Sequence, residues 1–357
     1  GKDVELHSLK HGHLNGRLGT ALSCSNGRIG VRVQGQGMLA IKPSNLRLSD
    51  ARAADSASFE TPEPCDLNAL LDGSEFLPVR KALLKSRPGC TRITLHGEQM
   101  KLQGGAAAVV ALLRRSSRSA LAVHTCSALS KLATGNPSGK LEIVCAGGAA
   151  AVVSTLDAQP SPSCGDSGLP LWKAGLHVLS SIAFGAHPCK QSVVDAGALA
   201  AVKRAMLLHA ADPELLKLGC DVIANVAGEK HCVHDVIKAG GASTVVRAMR
   251  DAPKAAELQA DGCLALSNLC VCFEDARQSV IDADGHAVAG LALLSHAHTH
   301  AAVRRWGCAA LSNMSSGSAD CKEALLSAGA VRFVVHAMVP CLALKEADIL
   351  RMGCVLL

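Results

Sequence analysis

Tyrosine is absent from this sequence, and 357 residues carry only two tryptophans and five phenylalanines. A wide aromatic core is therefore excluded, and nucleic-acid bases would find few rings on which to stack. The formal net charge is +6, yet no run of five or more Lys or Arg occurs, so the dense basic stripe of a dedicated nucleic-acid binder is missing. None of the sixteen cysteines forms a CxxC pair. Two such half-sites are what a structural zinc centre needs, so no metal is expected. Tight disulfide spacings and a charged-then-apolar leader are also lacking, which points to a reducing compartment, cytoplasmic or nuclear. The apolar stretch Ile143 to Leu156 falls short of the roughly 20 residues that span a bilayer, so no membrane span is expected.

Catalytic signatures are equally sparse. No GxxxxGK[ST], GxSxG or HExxH occurs, and carboxylates are scattered over polar faces. Gly35, Gly37 and Ala40 fit the dinucleotide pattern GxGxxG/A, but Pro43 follows where a helix N-terminus must receive the pyrophosphate. His296, His298 and His300 alternate in SHAHTHAA. They fall where two helices are expected to join, and a solvated turn is the better reading than a metal site. Nothing supports an enzyme, a cofactor or a small-molecule substrate.

What is present is a repeat. GCDVIANVA from Gly219, GCLALSNLC from Gly262 and GCAALSNMS from Gly307 share one pattern, with GLHVLSSIA from Gly175 and TCSALSKLA from Thr125 upstream and GCVLL from Gly353 at the end. A second marker keeps the same beat, in AGGAAAVV from Ala146, AGALAAV from Ala196, AGGASTVV from Ala239 and AGAVRFVV from Ala328. Successive starts of this marker, from Gln103 onward, lie 43, 50, 43, 44 and 45 residues apart. The long interval contains AQPSPSCGDSGLP, residues 158–170, which reads as an inserted loop.

Within one period the local signals predict three helices. EDARQSVIDA from Glu274 is short and amphipathic; Val288, Leu291, Leu293 and Leu294 mark a second helix. A third runs from about His300 to Met314. The Ala-Gly pair between the first two permits a sharp turn. Cysteines 126, 220, 263, 308 and 354 share one repeat position, which marks small buried core residues. Trp172 and Trp306 are phased into the core.

Period, three-helix layout and the closing ALSNL motif together resemble the armadillo family over about three quarters of the chain. That resemblance implies a mainly α fold, a right-handed armadillo-type α-solenoid of about six three-helix repeats over residues 75–357, the last one cut short. The sister HEAT class uses two helices, lacks the Ala-Gly beat and ranks second. Repeats with VVRAM, Leu258-Gln259 and GCLALSNL are also similar to the armadillo region that precedes leucine-rich repeats in some large multidomain kinases. Because the chain opens on Gly1 and stops inside a repeat, it reads as part of a longer protein.

Residues 1–46 read differently. Asn-Gly turns at 15 and 26 and the alternating Val31-Arg32-Val33 and Leu39-Ala40-Ile41 predict short strands. The segment resembles a small Src-homology-3-like β-barrel. Residues 47–74, rich in Ser, Ala, Asp, Glu and Pro, read as a flexible linker, and Phe76 to Ser86 as the start of a helical cap.

In the armadillo family an Asn near the end of each third helix makes bidentate contacts to an extended peptide on the concave face. The matching positions here are Lys131, Ser181, Asn225, Asn268 and Asn313. The bland reading is that these amides satisfy backbone groups at a helix end. Import adaptors of that family place a Trp four residues earlier, where this chain has His177, Asp221, Leu264 and Ala309, so nuclear-signal binding is not expected. The expected function is non-enzymatic capture of a protein or peptide. The first rival is a structural segment of a larger multidomain or kinase-like protein. The second is nucleic-acid binding through third-helix cations such as Arg304, Arg305 and Arg351.

Overall fold

The computed structural model describes residues 2–6, 18–25, 28–33, 37–41, 46–48, 77–79, 105–116, 121–159, 168–344 and 346–356. Most of the expected linker, and the cap beyond residue 79, lie outside them. The chain divides into two compact units: residues 1–159 with 185–196, and residues 160–184 with 197–357. Most of the expected inserted loop, residues 160–167, also lies outside the described residues.

The first unit opens with a five-stranded antiparallel sheet in the order β4-β3-β2-β1-β5, built from Lys2–Leu6, Leu18–Ser25, Arg28–Val33, Gly37–Ile41 and Leu46–Leu48. The last strand runs past the expected boundary at residue 46. Val31, Val33 and Ile41 are buried, as alternation requires. Gly37 and Ala40 lie within β4, and the next element is another strand, so the dinucleotide pattern has no helix to act through. Helices α1 (Gly105–Ser116), α2 (Leu121–Ala133), α3 (Pro137–Cys145), α4 (Gly148–Asp157) and α6 (His187–Asp195) complete this unit.

The second unit contains α5 (Leu169–Ala183), α7 (Ala198–Leu208), α8 (Pro213–Ala227), a 3-10 turn leading into α9 (Val233–Lys238), and α10 (Gly241–Asp251). It continues with α11 (Ala256–Leu269), α12 (Glu274–Asp282), α13 (Gly285–His296), α14 (Ala301–Ser315), α15 (Ala319–Ser327), α16 (Ala330–Leu344) and α17 (Ala347–Leu356). Each helix type packs on its own kind. First helices α9, α12 and α15 meet in order, second helices α7, α10, α13 and α16 do the same, and third helices α5, α8, α11, α14 and α17 form the third row. The expected inserted loop ends two residues early, because Leu169 and Pro170 already form the first turn of α5, where a proline costs no hydrogen bond.

Two small-residue positions make the stack possible. The turn between first and second helices is left-handed at Gly147, Gly197, Gly240 and Gly329, with φ of 72°, 75°, 77° and 75°. At the same beat Asp284 takes φ 62°, the one non-glycine residue with positive φ among the described residues, and its carboxylate accepts from Arg250 Nη2 at 2.8 Å. The glycine opening each third-helix motif serves a different end. A methyl on Gly262 would sit 2.6 Å from Met249 Cγ and Sδ, one on Gly307 2.6 Å from Leu293 Cδ2, and one on Gly219 would run into Met206. These glycines let each second helix lie directly on its own third helix.

Gln259 and Arg304 share a repeat position and close the other end of the second helices. Gln259 Nε2 donates to the carbonyls of Met249 and Ala252 at 2.9 and 3.1 Å, and Arg304 Nη1 to that of Ala297 at 2.8 Å. Arg304, 4 % exposed, also holds Glu346 at the start of α17 through two bonds of 2.9 and 2.6 Å. This cation is buried structure, and the nucleic-acid reading loses it.

Replacing Gly262 by Ala should cost about 1–3 kcal/mol, because Met249 must leave its seat. Arg304→Ala should cost at least as much, about 3 kcal/mol, by stranding the Ala297 carbonyl and Glu346. Thermal melts read both, with the exposed Lys254→Ala expected to stay within about 0.5 kcal/mol of wild type.

Candidate functional site

The third-helix row of the second unit is where the expected binding residues fall. Its inward side is set by the small core position. Cys126 in the first unit and Cys220, Cys263 and Cys308 in the second are fully buried, and burial pushes the thiols of Cys126, Cys263 and Cys308 up to about 12, so they are inert packing groups. Cys354, expected among them, is exposed. Trp172 is buried as expected. Trp306 is only half-buried, with the Arg305 guanidinium 5.0 Å from its ring centre.

The last turns of these helices carry the asparagines, each half-buried. Asn225 Nδ2 donates to the carbonyl and hydroxyl of Ser180 at 3.4 and 3.2 Å. Asn268 Nδ2 donates to the Ala224 carbonyl at 2.9 Å, and Asn313 Nδ2 to the carbonyl and hydroxyl of Ser267 at 3.2 and 3.0 Å. Every acceptor immediately precedes the equivalent position one repeat earlier. The Ser-Asn step of the ALSN motif is therefore a relay, in which serine receives from the following repeat and asparagine gives to the preceding one. Among the described residues the three Oδ1 atoms accept from no donor, so each amide keeps its acceptor. Ser181 stands half-buried at the equivalent place on α5, and Lys131 is exposed on α2 of the first unit.

One to two turns earlier the row carries charge that the repeat pattern does not mark. Lys217 Nζ lies 3.4 Å from Asp221 Oδ2 on its own helix and 3.2 Å from Asp261 Oδ2 on the next. All three side chains are between a fifth and a third exposed. Burial above all, and then the neighbouring Asp221, push the Asp261 carboxyl up to about 7 against the pull of Lys217. The spacing was there to read: residue 221 advanced by the 43-residue period reaches 264, one helical turn past Asp261. Lys173, at the position equivalent to Lys217, spans repeats in the same way, 2.9 Å from Asp212 and 2.5 Å from Glu214.

The histidine run does span the end of α13 and the start of α14. His296 Nε2 lies 2.8 Å from the Pro253 carbonyl, His298 rests edge-on against His336, and His300 caps α14 by accepting from the Val303 N–H at 3.4 Å. Among the described residues no three or more His, Cys, Asp or Glu side chains are grouped to hold a metal ion, and no single helix is long and apolar enough to cross a membrane.

No family model matches the chain, and no curated protein matches it. Solved structures do. The chain is similar to an engineered protein at 21% identity and TM-score 0.61, over 71% of this chain and 97% of that one. A designed armadillo repeat protein aligns at 20% identity and TM-score 0.58, over 69% and 98%. Another designed armadillo repeat protein, solved with the peptide (KR)4, aligns at 21% identity and TM-score 0.56, over 68% and 96%. At such identities the likeness defines the fold: an armadillo-like helical repeat.

Because the folded Asp261 carboxyl keeps its proton to about pH 7, while an unfolded aspartate loses it near 3.9, the folded state binds more protons between those values. That contribution to stability is full at pH 4 and fades as pH rises through 7. Asp261→Asn should consequently raise stability by about 1 kcal/mol or more at pH 8, and the gain should vanish toward pH 4 in paired thermal melts.

Proposed function

We propose that the chain is a non-enzymatic protein-binding scaffold whose third-helix row holds an extended protein segment. The observation that carries this reading is the amide series Asn225, Asn268 and Asn313, one per repeat at one helix position, each fixed by its own Nδ2 and each with a free acceptor among the described residues. Evenly spaced amides grip a peptide backbone whatever its side chains. Ser181 continues the row on α5, and Lys131 is its counterpart in the first unit. Above about pH 7, where Asp261 gives up its proton, the Asp221–Asp261 pair outweighs Lys217 and sets a sign for the middle of the row: it repels a carboxylate and accommodates a basic side chain. A designed armadillo repeat protein of the same fold was solved with the basic peptide (KR)4, which supports this choice of probe. The absence of Trp four residues before each Asn removes the deep pockets of import adaptors, so recognition rests on backbone and charge. A reducing compartment, cytoplasmic or nuclear, and a Src-homology-3-like reading of the amino-terminal sheet belong to the same proposal.

One observation favours the rival reading, a segment packed within a larger assembly. Helix α16 turns Val335, Val339 and Leu342 to solvent at 47 %, 56 % and 67 % exposure. The residue at the repeat position of Val335 in the preceding helix is Gly290, which Phe333 of the following repeat covers.

The combined Asn225→Ala, Asn268→Ala and Asn313→Ala variant should lower the melting temperature, at about 1 kcal/mol per lost bond, yet stay helical by circular dichroism. Its affinity for fluorescein-labelled (KR)4 should fall roughly tenfold or more. Equal binding by wild type and variant, together with unchanged cross-linked partners from cells, would remove the third-helix row as the binding face.

A further inference from the structure

The second helices carry an apparatus that the third-helix reading does not use. A cavity of about 230 Å³ opens between α7 and α10, and a second of about 160 Å³ between α10 and α13. They are the same site one repeat apart: Met206, Arg247 and Ala248 line the first, and their repeat equivalents Met249, Leu291 and Ala292 line the second. The methionine is the residue seated against the third-helix glycine, so the close approach that builds the stack also shapes these hollows. Beside them Leu207 is 42 % and Leu291 57 % exposed, apolar side chains standing at the mouths.

Charge at the rim has one dominant sign. Helices α7 and α10 carry Lys203, Arg204, Arg247 and Arg250 against a single carboxylate, Asp251. Lys203 forms no ion pair among the described residues, and its ammonium lies over the left-handed turn at Gly240. Arg247 reaches Asp251 only at 3.6 Å with its side chain 58 % exposed, a pair worth little. Arg250 is neutralised by Asp284 at 2.8 Å. The third helices of the same repeats, α8 and α11, have the reverse balance: Glu214, Asp221, Glu257 and Asp261 against Lys217, with only Glu214 paired from outside, by Lys173. Two layers of one stack thus present opposite charge.

We propose that the second-helix layer of the second unit is a separate docking surface for an acidic amphipathic helix, which seats two apolar side chains in the paired cavities and sets carboxylates against Lys203 and Arg247. The geometry selects the occupant. Neighbouring packed helices lie about 8–10 Å apart, and residues seven apart on an α-helix rise by about 10.5 Å. An apolar pair at i and i+7 therefore reaches successive cavities when the guest crosses the second helices. Discrete hollows suit individual side chains better than a flat acyl surface does, which favours a protein helix over an anionic membrane. The surface is independent of the asparagine row.

The test uses the full chain and a fluorescein-labelled 18-residue helix of Ala and Glu with Leu at i and i+7. Saturable binding is expected, weakened at least tenfold when Leu is changed to Ala or Glu to Lys in the probe. The exposed-site variants Lys203→Glu with Arg247→Glu, and separately Leu291→Asp, should each lose roughly tenfold or more in affinity with unchanged circular dichroism. The triple asparagine variant should bind this helix as wild type does. Binding indifferent to rim reversal, binding lost in the asparagine variant, or no uptake of the helix beside clear binding to phosphatidylserine vesicles would each overturn the proposal.

Discussion

The contact on which the second unit depends is the seat of each second helix on the glycine of its own third helix. With Gly219 under Met206, Gly262 under Met249 and Gly307 under Leu293, no Cβ holds the two helices apart. Because the same contact recurs every 43 to 45 residues, successive repeats stack in one register, and adjacent third helices come close enough for side chains to cross. The Ser-Asn relay, the Lys217 bridge and the Arg304–Glu346 pair all presuppose that closeness. A chain with so few aromatics has no other means of filling wide gaps, which is why its motif is written in Gly, Cys, Ala and Leu.

What the sequence revealed follows from this. Period and phase located the helices of the repeats, since every motif residue performs the same task at each occurrence. The Ala-Gly beat marked the left-handed turn, and even Asp284, which breaks the glycine pattern, keeps the conformation. Residues that act between repeats were harder to read. Arg304 looked like a surface cation because its partner, Glu346, stands 42 residues away. Asp261 was passed over because it pairs with Asp221 across helices, offset by one turn from the repeat alignment.

The asparagines show why repetition alone does not separate structure from function. Each amide has two faces. Its nitrogen joins the preceding third helix, a bond that would preserve the residue in an array with no ligand at all, whereas its oxygen has no partner among the described residues. A residue can hold the stack and serve a guest at once, because an amide has donors on one atom and an acceptor on the other. Fixing the nitrogen also orders the side chain in advance, so that a peptide meeting the row would have less rotamer freedom to quench.

Charge divides the labour between layers more sharply than shape does. Within α8 and α11 four acids stand beside one lysine, with Lys173 of α5 pairing Glu214; within α7 and α10 four cations face one aspartate. These opposed sets cannot simply cancel through the repeat, since the layer between them is filled with aliphatic side chains and buried cysteines, where ions are poorly solvated. Each layer must balance its charge with solvent, with its own few counter-ions or with a partner. Asp261 shows the strain of the first arrangement in a carboxyl pushed up to about 7 by burial and by Asp221. The acidic pair α8 and α11 and the basic pair α7 and α10 therefore define two different chemistries of recognition, and the near-zero sum of their charges hides both from any reading of net charge.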